Sequence, residues 1–181
     1  MALAAVPQFF SNQFMMNRSL AVAVFAVFIL IKTGSVANAQ APAPALVGYW
    51  QNWNDFQCPY IPLTQIDTSY NVIQVAFAIP ASGTTYNMTF VPDGISQSDF
   101  KKKIDTMHMR GKKVLISIGG ANDPVELPDT VKRNVFISSM MSIISYYGFD
   151  GMDIDLEGSS LSLSGGTISN PVDAKIINLI Y

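Results

Sequence analysis

Asp150, Asp153, Asp155 and Glu157 fall within eight residues of an otherwise apolar run, Phe149-Asp150-Gly151-Met152-Asp153-Ile154-Asp155-Leu156-Glu157-Gly158. Asp153, Asp155 and Glu157 are spaced by two. In a strand they point to one face, and Met152, Ile154 and Leu156 point to the other. Like charges ~6–7 Å apart along a strand repel, so such a row is costly unless a site uses it. Neighbouring carboxylates share protons. A carboxyl that keeps its proton can act as a general acid, which is what cleavage of a glycosidic bond requires.

Two readings without catalysis compete. Residues 153–158 imitate the start of an EF-hand calcium loop, but its twelfth position would be Ser164 rather than Glu, and Ile154 and Leu156 do not suit a loop. A solvated acidic edge strand is the other. The apolar residues at alternate positions argue for burial of that face instead. Asp150 has the opposite parity and reads as structural.

The elements that must position these acids alternate in type. Near-continuous apolar stretches at 46–50, 72–79, 113–120 and 148–156 predict four strands. Residues 98–110, with Ser98 as candidate N-cap, and 129–147, with Asp129 as cap, predict helices between them. A brief helix is expected near 63–70, a loop at 165–170, and the start of a further helix at 171–181. Strands alternating with helices mean βα units and a parallel sheet. Four strands fit either an open doubly wound sheet or the first half of a (β/α)8 barrel. In both, a carboxylate at the C-terminal end of a strand opens onto the ligand-binding face. Glu157 stands nearest that mouth, with Asp155 and Asp153 successively deeper.

Residues 20–31 are twelve uninterrupted apolar residues, preceded by Arg18 and followed by Ala37-Asn38-Ala39. The run is short of the ~20 residues of a spanning helix and reads as a secretory signal over 1–39, followed by a linker at 40–45 (QAPAPA) and a single domain at 46–181. Loss of Arg18 and Lys32 with the leader makes an already acidic chain, net charge −2, more acidic. Nucleic acid is not an expected partner, and Lys101-Lys102-Lys103 and Lys112-Lys113 read as solvated faces. The one cysteine, Cys58, cannot form an intrachain disulfide; it is either a buried thiol or one whose partner lies elsewhere. Asn87-Met88-Thr89 is an acceptor triplet for N-glycosylation in a eukaryotic host. His108, the only histidine, reads as a surface or capping residue. No metal site and no cofactor is suggested.

The pattern Asp150-x-x-Asp153-x-Asp155-x-Glu157 resembles the signature of the family 18 glycoside hydrolases, the chitinase family. Ser117-Ile118-Gly119-Gly120 resembles that family's SxGG motif on its third strand, and Val47-Gly48-Tyr49-Trp50-Gln51-Asn52-Trp53 resembles its first strand. The resemblance runs from about residue 46 to 181. It implies an α/β fold, a (β/α)8 TIM barrel of which this chain holds about the first four strands. It also implies a secreted, endo-acting chitinase that hydrolyses β-1,4-N-acetylglucosamine linkages with retention, assisted by the substrate's own N-acetyl group, outside the two-carboxylate scheme. On that resemblance Glu157 protonates the leaving oxygen, Asp155 charge-balances the oxazolinium ion, Asp153 stands behind Asp155, and Ser117 bonds into the carboxylate relay. Tyr49 and Phe77 shape the sugar pocket, although strand position alone reads both as core. Trp53, in the loop, offers a stacking face, whereas Trp50, of opposite parity, packs outward. Gly119 and Gly120 allow a tight exit from the strand. The family's Met-x-Tyr pair and eighth-strand tryptophan are not found in the 181 residues. The alternatives are a non-catalytic chitin-binding lectin, an N-glycan endoglycosidase, and an inactive self-associating half-barrel.

Overall fold

A computed structural model describes residues 43–162, 165–167 and 169–180. The expected leader, residues 1–39, lies outside the described residues, as does the first half of the linker.

Four strands form one parallel sheet in the order β1 (Val47–Gln51), β2 (Val72–Pro80), β4 (Lys113–Gly120), β5 (Gly151–Leu156). A two-residue strand, β3 (Met88–Thr89), adds antiparallel to the end of β2. Helix α1 (Gln97–Met109) follows β3, and α2 (Thr130–Tyr147) connects β4 to β5. The four main strands lie side by side in chain order with no reversal. A doubly wound sheet requires a reversal, so the order is that of a barrel built up strand by strand.

Register sorts the side chains onto two faces. Trp50, Ile73, Val75, Val114, Ile116 and Ile118 point outward into the main core, where α1 contributes Phe100, Ile104 and Met107 and α2 contributes Phe136, Met140, Ile143 and Tyr147. Both helical sets follow the i, i+3, i+4 spacing of one buried stripe. Trp50 sits against Tyr60 and Phe100 and donates its indole N–H to the Ile61 carbonyl, the outward packing that its parity predicts. The opposite, concave face is the polar one. It carries Tyr49, Gln51, Gln74, Ser117, Asp153 and Asp155, aligned by the pairings Tyr49 to Gln74, Ser117 to Asp153 and Gly119 to Asp155.

Several local expectations are corrected. Helix α1 is capped by Ser96 rather than Ser98. The Ser96 hydroxyl accepts from the Asp99 amide and donates to the Asp99 carboxylate, a reciprocal cap that Ser98 cannot make from inside the first turn. Asp129 caps α2 as expected, accepting from the Lys132 amide. The helix near residue 63 is only a single 3-10 turn, Leu63–Gln65. The fourth main strand begins at Gly151 rather than 148, because Gly148 takes φ +80 and closes α2 as its left-handed cap. The loop expected at 165–170 contains a short antiparallel pair, β6 (Gly166–Thr167) and β7 (Asn170–Pro171), before α3 (Ala174–Ile180). On β5, Met152 and Leu156 pack on the core, but Ile154 stays 47% exposed on the outward face of an end strand.

Candidate active site

The site lies at the C-terminal ends of the strands, where β1, β4 and β5 bring their polar faces together. Asp153 is its best-anchored member. Its Oδ2 accepts from the Ser117 hydroxyl at 2.6 Å and from the Tyr49 hydroxyl at 2.8 Å. Ser117 is fully buried. A buried hydroxyl without a partner is costly, and the carboxylate beside it in the register supplies that partner. Desolvation, then the hydrogen bond to Asp153, then the charges of Asp153 and Asp155 push the Tyr49 phenol above its ordinary range. Tyr49 is therefore a standing donor to Asp153 at neutral pH. Its ring remains 54% exposed, so it is a site-facing residue rather than the core residue that strand position alone suggests.

Asp155 lies one pleat nearer the mouth and borders a cavity of ≈330 Å³ together with Tyr49, Trp53, Tyr60 and Phe77. Glu157 lies just past the end of β5, exposed, as the residue before a 3-10 turn at Gly158–Leu161. Among the described residues, side-chain hydrogen bonds tie down Asp153 but neither Asp155 nor Glu157. The row thus grades from a carboxylate fixed by two hydroxyls to one open at the rim.

The two glycines of β4 serve this arrangement. Gly119 has φ +104, and a Cβ there would stand 2.0 Å from the Asp155 carbonyl oxygen. At Gly120, φ +78, it would stand 3.2 Å from the Phe77 ring. The pair does more than end the strand. Gly119 admits the backbone of β5, and Gly120 admits Phe77. That ring comes from a bulge in β2, where the register shifts between Val75 and Ala78. Phe77 stacks on Trp53 with ring centroids 6.3 Å apart and planes 24° apart, and lies 6.2 Å from the Tyr49 ring. Trp53 and Phe77 separate the cavity beside Asp155 from a second of ≈360 Å³ that reaches Asn122 and Asp123. Of these two cavities, the first is lined by a carboxylate of the row, Asp155.

Asp150 is structural, as its parity implies. Its carboxylate accepts from Lys113 Nζ, from the Val114 amide and from His108 Nε2, each at 2.8 Å. Burial alone would raise this carboxyl, but donation from Lys113, Val114 and His108 outweighs it and holds the group below the usual range. Two expectations change here. His108 is a half-buried partner of Asp150 rather than a surface cap, and Lys113 is an ion-pair member rather than a solvated charge. Cys58 is exposed and free, not a buried thiol. Sequence reasoning missed Gln51 and Asn52. Gln51 donates to the Trp53 and Cys58 carbonyls, and Asn52 donates to the Val91 carbonyl and accepts from the Asp93 amide, so both tie rim loops to the end of β1. Two carboxamides leaving a strand in succession were the available signal.

The sequence profile described as glycosyl hydrolases family 18 matches residues 45–174. Chitinase D of Niallia circulans is 44% identical over 165 residues, covering 90% of this chain and 31% of that protein. Chitinase Chi52 of Paenibacillus xylanexedens is 47% identical over 137 residues, covering 75% of this chain and 26% of that protein. The chain therefore spans about a third or less of these curated relatives. Among solved structures, a family GH18 chitinase from Chromobacterium violaceum superposes with a TM-score of 0.65 at 36% identity, over 75% of this chain and 34% of that one. The matched span takes in all four main strands, so the sheet is the opening part of an α/β barrel and the chain belongs to glycosyl hydrolases family 18.

Proposed function

We propose that this chain carries the acid-bearing part of a secreted chitinase, which hydrolyses β-1,4-linked N-acetylglucosamine with retention. The observation that carries the reading is the order of the carboxylates along β5, with Asp153 pinned from two other strands and Glu157 free at the rim. Glu157 gives its proton to the leaving glycosidic oxygen as that C–O bond breaks. The carbonyl oxygen of the substrate's N-acetyl group forms the new bond to the anomeric carbon, giving a cyclic oxazolinium ion. Asp155 accepts the hydrogen bond of the acetamido N–H and balances the ring's positive charge. Water then attacks the anomeric carbon from the face the leaving group vacated and passes a proton to Glu157, as the bond to the N-acetyl oxygen breaks and the acetamide is restored. Two displacements at one carbon give retention. Tyr49 and Ser117 hold Asp153 behind Asp155, while Phe77 and Trp53 present faces on which a sugar ring can stack.

The expected partner is chitin or another N-acetylglucosamine polymer. The site chemistry and the relatives named chitinases support this. Residues 1–39 are a leader removed on export, so protein recovered from the medium should begin at or near Gln40 by N-terminal sequencing. Intact protein in the membrane fraction would favour an anchor instead.

The direct test follows cleavage of chitotetraose by proton NMR. The first product should carry the β-anomer at its new reducing end. The α-anomer as first product would reject the retaining mechanism, and saturable binding without cleavage would favour a lectin.

A further inference from the structure

The geometry points to Ser160 and Lys175 as positioning residues for Glu157, acting through a latch to the loop that leaves β4. This rests on reading Glu157 as the proton donor. Among the described residues Glu157 is placed by its backbone alone. Its carbonyl accepts from the Ser160 amide at 3.1 Å, and Gly158 after it turns with φ +53. Whatever fixes the 3-10 turn at Gly158–Leu161 therefore fixes the acid.

Two contacts fix that turn. Ser160 is 1% exposed, and its hydroxyl accepts from the Val125 amide at 3.1 Å. A buried serine four residues past the end of β5 has no packing reason to be polar, and this bond supplies one. Lys175, at the start of α3, donates from Nζ to the Ser159 carbonyl at 3.1 Å and to Glu126 Oε1 at 3.2 Å. One ammonium group thus ties the acid's turn to the β4 loop. That loop is itself held elsewhere. The Glu126 amide donates to the Thr85 carbonyl at 2.9 Å, and Asn178 donates to the Leu127 carbonyl at 2.8 Å. The acid stands at the end of a braced frame rather than on a free loop. A general acid must lie within hydrogen-bond reach of the leaving oxygen, and displacement by about 1 Å can lower the rate about 100-fold.

The test uses the full chain and the variants Ser160→Ala, Ser160→Thr and Lys175→Met. The first arm reads amide exchange by mass spectrometry and needs no turnover. In Ser160→Ala and Lys175→Met, peptides spanning 156–162 should exchange about fivefold faster or more, with those of β1 and β2 unchanged. Equal exchange at 156–162 overturns the latch. The second arm compares chitotetraose, whose leaving group needs a proton, with a 2,4-dinitrophenyl chitobioside, whose leaving group does not. Both variants should lose about 10- to 100-fold in kcat on the first, with less than about a threefold change in KM, and less than about threefold in kcat on the second. Equal losses on both substrates mean general damage and overturn the proposal. Ser160→Thr keeps the acceptor and should recover most of the loss. Failure to recover would assign the effect to packing and also overturn it. Glu157→Gln is the control. Undiminished cleavage of chitotetraose by that variant would remove the proton-donor reading, while the exchange arm would still decide whether the latch exists.

Discussion

The Tyr49 hydroxyl donates to Asp153 across the whole width of the sheet, from β1 to β5, at 2.8 Å. Three strand spacings of ~4.8 Å would hold the two residues ~14 Å apart in a flat sheet, with their side chains parallel. The bond forms because the sheet curls and turns both side chains into one trough. The contact thus reports the curvature of the fold and builds the site at once.

Tyr49 links that contact to alkaline pH. Its folded pKa is raised, so the neutral phenol is favoured by folding. The sign follows: the contribution to stability is complete below about pH 10, the ordinary phenol value, and is lost as pH rises toward the folded value. In urea titrations Tyr49→Phe should therefore be less stable than the parent at pH 8, and the gap should narrow by pH 11. A gap that does not change with pH would show that the hydroxyl is not coupled to the carboxylates.

Asp150 should govern the acid side. Its folded pKa is lowered, so its contribution is present above about pH 4 and fades as pH falls through the folded value. Asp150→Asn keeps the shape but loses charge-assisted bonds from Lys113 and His108. It should cost about 2 kcal/mol at pH 7, measured by urea unfolding, with the difference shrinking below pH 4. A deficit that is the same at pH 3 and pH 7 is incompatible with this role.

The two carboxyls nearest the mouth, Asp155 and Glu157, should both be needed for turnover. Glu157→Gln removes the proposed proton donor and should lower kcat on chitotetraose about 10²- to 10⁴-fold. Asp155→Asn should also slow turnover, because the negative charge proposed to balance the oxazolinium ion is lost. If Asp155→Asn leaves kcat intact, Asp155 is only structural.

Gly119 and Gly148 share a positive φ but not the same surroundings. Around Gly148 a new Cβ meets only the Lys101 ammonium at 3.6 Å, whereas around Gly119 it meets the β5 backbone at 2.0 Å. Gly148→Ala should cost about 1 kcal/mol from backbone strain. Gly119→Ala should cost about 3 kcal/mol or more, because β5 must move. Thermal denaturation of the two variants compares them directly, and equal shifts in Tm would contradict the close approach.

Much of the fold and the site could be read along the chain because the rules involved are local. Near-continuous apolar runs such as 113–120 assigned strands, and alternation along 150–157 assigned faces, since side-chain period follows from backbone geometry. Spacing by two put Asp153, Asp155 and Glu157 on one side of β5, and parity alone sent Trp50 outward and set Asp150 apart. Cap chemistry located Asp129. The expected cap of α1, Ser98, gave way to Ser96, because the cap depends on which hydroxyl meets a free amide.

Tertiary structure decided what no local rule contains. The sheet's order, unreversed, selected the barrel over the doubly wound alternative that four strands equally allow. Curvature brought Tyr49 to Asp153 over a gap that the sequence records only as 104 residues. The same closure gave Asp150 its partners from α1 and β4, so that His108 and Lys113, expected at the surface, are half-buried partners of that carboxylate. The bulge in β2 aimed Phe77 at Gly120, and the latch from Ser160 and Lys175 reached Val125 and Glu126 across two loops. Periodicity says which way a side chain points from its own strand. Which partner it meets depends on how separate strands and loops pack, and that is fixed only when the chain closes on itself.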